Sequence, residues 1–189
     1  LVAELGAYDG PIYVGSSAYL ALAGPLGATG AILSLANTDP EGCIAALAGD
    51  MDAGRVRTLV ILGGNPVFNA PADLKFAERL GKVPLRVHLS PYFDETSVAC
   101  HWHIPEAHFL ETWSDARAID GTASIVQPLI APLYGGRSAH EVLAAMSDQP
   151  ERSAYELVRD TWRATMGGDF ESQWRKALHD GVIPGTASA

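Results

Sequence analysis

Positive charge is scarce in this chain: 13 Lys and Arg stand against 22 Asp and Glu, for a formal net charge of −9 over 189 residues. Such a chain repels a phosphate backbone, and no cluster of Lys and Arg reverses that locally, so nucleic-acid binding is excluded as a function class. Cysteine is scarcer still, with Cys43 and Cys100 only. Neither sits in a CxxC or CxxxC arrangement of the kind that holds zinc or an iron–sulfur cluster, and both read as buried thiols. Long apolar runs are missing as well. The longest, over 18–35, is interrupted by Gly24-Pro25, Gly27 and Gly30, short of the roughly 20 unbroken residues a membrane span requires. There is no GxGxxG, no P-loop and no GxSxG nucleophile elbow.

What is present is an ordinary globular composition, 48% hydrophobic and 19% charged. A chain of this length buries roughly 70% of its unfolded surface without needing a metal or a disulfide. Ile12-Tyr13-Val14 runs into Gly15-Ser16-Ser17 and an amphipathic stretch, the pattern of strand, turn and helix. Residues 31–35 repeat the strand signal, and Asp39 with Pro40 opens a helix that carries Ile44, Leu47 and Met51 on one face. Thr58 to Leu62 is apolar without alternation, as in a parallel strand covered on both sides, and is expected to be central. A helix is expected from Pro71 with Leu74, Ala77 and Leu80 inward, then a strand over 85–89.

Strands alternating with helices at this spacing predict an α/β fold: a Rossmann-like, mostly parallel sheet flanked by helices, with a helical C-terminal extension. Beyond Ser90 the pattern becomes irregular, with a short strand-like segment over 102–104 and a loop-rich passage over 106–136. Ser138 with Glu141 and Ser153 with Glu156 fit the capping box, so a helix starts at each. A last helix opens near Asp169 with Phe170, Trp174, Ala177 and Leu178 on one stripe. The organisation expected is one domain over 1–147, containing a loop-rich segment 100–136, and a helical extension and linker over 148–189. Leu1 follows no basic or apolar leader and Gly185 to Ala189 reads as linker, so a segment of a longer polypeptide is expected.

In open parallel sheets ligands bind beyond the carboxyl ends of the strands. Two glycine-bearing turns lie there: Gly15-Ser16-Ser17 after the first strand and Gly63-Gly64-Asn65-Pro66 after the strand over 58–62. Either turn alone fits an ordinary cap or strand-ending turn; together they also fit a nucleotide or sugar-phosphate module. His101-Trp102-His103, with Glu106 and His108 nearby, offers possible metal ligands, but zinc needs three or four in set geometry. A pair of hydrogen-bonded imidazoles is the plainer reading. No catalytic residue and no metal ligand is assigned, because nothing fixes the separation of Asp94-Glu95 or of the carboxylates over 115–120.

From Arg57 onward the order of features resembles the molybdopterin oxidoreductase superfamily, the relatives of dimethyl-sulfoxide reductase and formate dehydrogenase. The matching features are Leu59 to Pro66 as a strand ending in Gly-x-Asn-Pro, the following helix, Val87, Glu95-Thr96, Cys100 to Pro105, Glu111, and Gly135-Gly136-Arg137. The resemblance implies that Gly63, Gly64, Asn65 and Pro66, with Gly15 and Ser16, border a molybdopterin guanine dinucleotide. It also implies that this edge is vestigial. Ser90 stands where such enzymes carry an Asp, Cys100-His101 replaces Ala-Asp, and Ser114-Asp115, Ala118 and Gly121-Thr122 depart from the later glycine-rich motif.

Those departures, with His101 to Glu106 and Trp113 to Arg117, resemble one branch, the large iron–sulfur subunit of alternative complex III. That resemblance implies a non-catalytic scaffold without molybdenum, with iron–sulfur clusters outside this segment. It further implies contacts to other domains and subunits of a membrane-associated respiratory complex, on the periplasmic side of a bacterial inner membrane. The alternative is a genuine pterin-dinucleotide-binding part of an oxidoreductase.

Overall fold

The computed structural model describes residues 13–14, 30–31 and 40–187. The chain divides into two compact units, 1–106 and 107–189. The 147/148 boundary read from sequence falls inside the second, between two of its helices.

In the first unit β1 (Tyr13–Val14) pairs in parallel with β2 (Gly30–Ala31). The turn at Gly15-Ser16-Ser17 lies outside the described residues. Helix α1 (Pro40–Asp52) buries Ala48 and Met51, with Ile44 and Leu47 packed beside them, so the apolar face expected from sequence is the one that is used. It covers a core completed by Val56, Leu59, Phe76, Leu80 and Val83.

Three parallel strands make the main sheet: β3 (Thr58–Leu62), β4 (Leu85–Ser90) and β5 (Trp102–Pro105), in the order β3-β4-β5. Among the described residues β4 pairs with β3 on one side and β5 on the other, and β1 also lies against β3. Four successive β4 residues, Val87 to Ser90, are buried, which requires cover on both faces.

The connection from β3 to β4 departs from the expected single helix. A short α2 (Pro66–Asn69) begins directly at Pro66, and a 3-10 turn over Ala72–Leu74 follows. Lys75 then takes a left-handed φ of 46° before α3 (Phe76–Leu80). That break resets the helical face. Phe76 and Leu80 point inward, four residues apart, while Ala77 is exposed and Leu74 only half-buried. After β4, Asp94 caps α4 (Glu95–Ala99) by accepting from Ser97 N at 2.9 Å. This is order where the sequence pattern looks irregular.

The second unit holds an antiparallel sheet that the loop reading of 106–136 misses. β6 (Ser114–Arg117) and β7 (Ala123–Val126) form a hairpin, and β8 (Val182–Ile183) pairs on β7's other side. The hairpin closes at Asp120-Gly121, with Gly121 at φ 87° and Asp120 accepting from Thr122 N. An Asp-Gly pair in such a turn is a hairpin signal that the polar Asp115 and Arg117 of β6 mask.

Helices α5 (Ala139–Ala144), α6 (Ala154–Met166) and α7 (Phe170–Asp180) complete the unit. Both capping boxes are present as expected, and Asp169 caps α7. Phe170, Trp174 and Ala177 of the predicted stripe are buried with Leu178 packed at their edge, against Ile125, Val158, Trp162 and Ile183. No described helix is long and apolar enough to cross a membrane.

The Ser153 cap makes a checkable claim. Ser153 Oγ and Glu156 bond reciprocally to each other's backbone N–H, and Ser153 Oγ also donates to Glu156 Oε2 at 2.8 Å. Ser153→Ala is expected to lower unfolding free energy by about 1 kcal/mol. Because the two residues act as one device, Ser153→Ala with Glu156→Ala is expected to cost less than the sum of the singles in a urea-unfolding cycle.

Candidate functional site

Because β3, β4 and β5 are parallel, the segments that follow them emerge at one edge of the sheet. There the structure brings together Gly63-Gly64-Asn65 after β3, Ser90 and residues 92–97 after β4, and Glu106 after β5. Gly63 and Gly64 have φ of 70° and 72°, a conformation that L side chains resist, which is why the strand can end in so sharp a turn.

That turn is fastened from within. Gly63 N donates to Leu89 O at 2.8 Å. Thr96, fully buried, donates from Oγ1 to Asn65 Oδ1 at 2.7 Å and accepts from Val67 N at 3.1 Å. Asn65 Nδ2 donates to Glu95 Oε2 at 2.7 Å. Asn65 has thus committed both ends of its amide to its own chain. The bond from Asn65 holds the Glu95 carboxyl below its ordinary pKa.

Beneath the turn lies His88, on β4 and fully buried. Its Nε2 is 2.9 Å from Gly64 O, and since a carbonyl only accepts, Nε2 carries the proton. Its Nδ1 is 2.9 Å from Ser97 Oγ, and Ser97 Oγ is in turn 3.0 Å from His103 Nδ1. Ser97 Oγ also donates to Asp94 Oδ1 at 3.1 Å, and the roles of the two ring nitrogens that face it follow the tautomers. Burial, and then the facing charge of His88, hold His103 below its ordinary pKa. Phe93 meets the His103 ring edge-on at 5.2 Å. Burial pushes the Asp94 carboxyl up, but bonds from the Ser97 backbone and hydroxyl outweigh it and hold it low.

So two of the three histidines read as possible ligands take hydrogen-bonding roles within the first unit. His103 bonds Ser97, and His101 Nδ1 accepts from Arg86 N at 3.1 Å. Among the described residues no group of three His, Cys, Asp or Glu is placed to hold a metal ion. Cys43 and Cys100 are half-buried rather than buried, and burial pushes the Cys100 thiol up to about 11, leaving it protonated and unreactive at neutral pH.

The edge is acidic. Its ionisable side chains are Asp94, Glu95 and Glu106. Of the basic side chains in the first unit, Arg55, Arg57, Lys82 and Arg86 lie at the amino ends of β3 and β4, and Lys75 and Arg79 pair with Glu78 and Asp52. Residues 1–39 contain no Lys, Arg or His at all. Among the described residues of the first unit no Lys or Arg lies at this edge, and α2, with four residues, offers little helix dipole.

Ser90, the residue in place of the family's Asp, is buried and accepts from Tyr92 N, while its carbonyl receives Glu106 N at 3.0 Å. The one carboxylate at this edge without a hydrogen bond or ion pair among the described residues is Glu106. A Cβ built on Gly63 would come 3.9 Å from its Oε2, and burial alone raises its pKa. Sequence reasoning weighed Glu106 as a possible metal ligand and within the His101 to Glu106 resemblance; the signal for its actual place is that it directly follows β5.

In the second unit the later motif residues also serve the fold. Ser114 Oγ lies 3.0 Å from His140 Nε2, and Asp115 Oδ2 accepts from Trp162 Nε1 at 2.7 Å, tying β6 to α5 and α6. Burial lowers the His140 pKa. Glu111 accepts from His108 N and Leu133 N, and Arg137 reaches Glu141 at 3.3 Å.

Comparison with known proteins gives three findings. No family model matches the chain. It is 30% identical over 123 residues, 61% of its length, to the menaquinone reductase molybdopterin-binding-like subunit of Nitratidesulfovibrio vulgaris, covering 18% of that protein. Its fold matches acetylene hydratase from Pelobacter acetylenicus with a TM-score of 0.55 at 18% identity, over 68% of this chain and 19% of that one. The chain therefore spans about a fifth of the length of either protein. Its sequence is thus similar to that of a molybdopterin-binding-like subunit, the type of protein that its motifs from Arg57 onward resemble.

Glu106 gives the site a pH signature. A carboxyl whose folded pKa is raised contributes stability that is full below the ordinary value of 4.5 and is lost as pH rises through the raised value. Glu106→Gln is therefore expected to raise the urea midpoint at neutral pH. The gain should vanish below pH 4.5, where both side chains are neutral. A Gln variant less stable than the parent at neutral pH would contradict this placement.

Proposed function

We propose that this molybdopterin-oxidoreductase-like chain is a non-catalytic scaffold and interaction domain of a multi-subunit electron-transfer complex, holding no molybdenum and no pterin. The observation that carries the reading is the inward commitment of Asn65. Both ends of its amide bond Thr96 and Glu95, so the residue that the motif would offer to a cofactor is oriented by the fold itself. The surrounding carboxylates point the same way, since they repel the phosphates of a pterin dinucleotide.

The relative from Nitratidesulfovibrio vulgaris is itself named as a molybdopterin-binding-like subunit of menaquinone reductase, which supports membership in an assembly that handles electrons. The resemblance of His101 to Arg117 to the large subunit of alternative complex III supports a respiratory complex facing the periplasm. Partner domains and iron–sulfur clusters belong, in this reading, to other parts of the assembly.

The test is a cofactor analysis of the full-length protein carrying this segment. Oxidised extracts are expected to show no pterin fluorescence, and elemental analysis no stoichiometric molybdenum. Recovery of one pterin dinucleotide per polypeptide would overturn the reading.

A further inference from the structure

We infer that the apolar loop over 129–134, with Phe109 on the segment beside it, is an interface covered by an apolar surface from another part of a longer polypeptide that carries this chain. Phe109, Leu129, Leu133 and Tyr134 are 62%, 76%, 67% and 84% exposed, and Ile130 is 49% exposed. None belongs to the described core of the second unit, which closes around Trp162, Trp174 and Ile183 without them. Single exposed apolar residues are ordinary on a protein surface; five of this size on two adjoining segments are not.

The two segments are pinned side by side. Ala107 N donates to Arg137 O at 3.0 Å, and Leu129 N and Ile130 N both donate to Leu110 O, at 2.8 and 3.1 Å. Leu133 N donates to Glu111 Oε1 at 3.3 Å, while the other oxygen of that carboxylate accepts from His108 N at 3.1 Å. Pro128 and Pro132 fix two further backbone torsions. The apolar side chains are thus carried on an ordered backbone, so docking them costs little further conformational entropy.

Charge and length name the occupant. Residues 127–136 carry no charged side chain, the depletion that marks the centre of an interface, so the surface that covers them is apolar. A second copy would bring a further net charge of −9 against this chain's own. Either relative has about four fifths of its length outside the part that this chain matches. In a polypeptide of that size a surface on the same chain meets the loop at the high effective concentration of an intramolecular contact. The inference uses none of the residues that carry the scaffold reading, so recovery of a pterin would leave it standing.

The test places the photo-crosslinker benzoylphenylalanine at Tyr134, and separately at Leu129, in the full-length protein carrying this segment. Crosslinked peptides are expected to join each position to the same polypeptide outside these 189 residues. Hydroxyl-radical oxidation of Tyr134 in the unmodified native protein is expected to run several-fold slower than in the urea-unfolded protein, a readout that does not depend on how the variants fold. Crosslinks to lipid, to another subunit or to a second copy would overturn the inference. So would an absence of crosslinks in variants that keep the parent's thermal midpoint, or oxidation of native Tyr134 as fast as in the unfolded protein.

Discussion

The buried hydroxyl of Thr96 joins the segment after β3 to the segment after β4. A threonine hydroxyl has one proton to give, and Thr96 gives it to Asn65 Oδ1 while its lone pair receives Val67 N–H. Once that is fixed, Asn65 Nδ2 turns to Glu95, Pro66 starts α2, and the Gly63-Gly64 turn is held in its left-handed conformation. His88 secures the same turn from below through Gly64 O. Removing the Thr96 hydroxyl would leave a part-buried acceptor and a part-buried donor without their partner, each costing at most about 1–3 kcal/mol.

The turn after β3 is thus closed by hydrogen bonds within the protein. The strands still end where a parallel sheet places ligands, and the glycines still make the turn. The Asn65 amide is bonded to Thr96 and Glu95, and in the scaffold reading proposed above the carboxylates at this edge disfavour a phosphate. In the second unit Ser114 and Asp115 likewise bond His140 and Trp162. Fold and chemistry are separable here because the turn's hydrogen bonds close without a ligand.

Much of the fold was legible where a pattern ran long enough to repeat. The parallel strand over 58–62, the face of α1, both capping boxes and the aromatic stripe of α7 all depend on local spacing, and each is found. The misses come from non-local causes. β4 takes the middle of the sheet although His88 and Arg86 interrupt its apolar run, because His88 has partners at both ring nitrogens and Arg86 reaches three carbonyls. β6 reads as loop because Asp115 is polar, and its polarity is resolved only by Trp162, far along the chain. The expected helix from Pro71 breaks at Lys75, whose left-handed backbone no periodicity announces. At the site, Gly63 to Pro66 was visible as a turn, but Thr96 and Glu106 gain their meaning only when three strands line up.

Amide hydrogen exchange across 63–69 in the ligand-free chain tests most directly whether the turn is held by the protein itself. Protection of Gly63 and Val67 is expected without any added ligand, with Thr96→Val accelerating exchange at Val67 and its neighbours while leaving β7 and α7 unchanged. Unprotected exchange at Gly63 and Val67 that slows only when a dinucleotide is added would contradict the account.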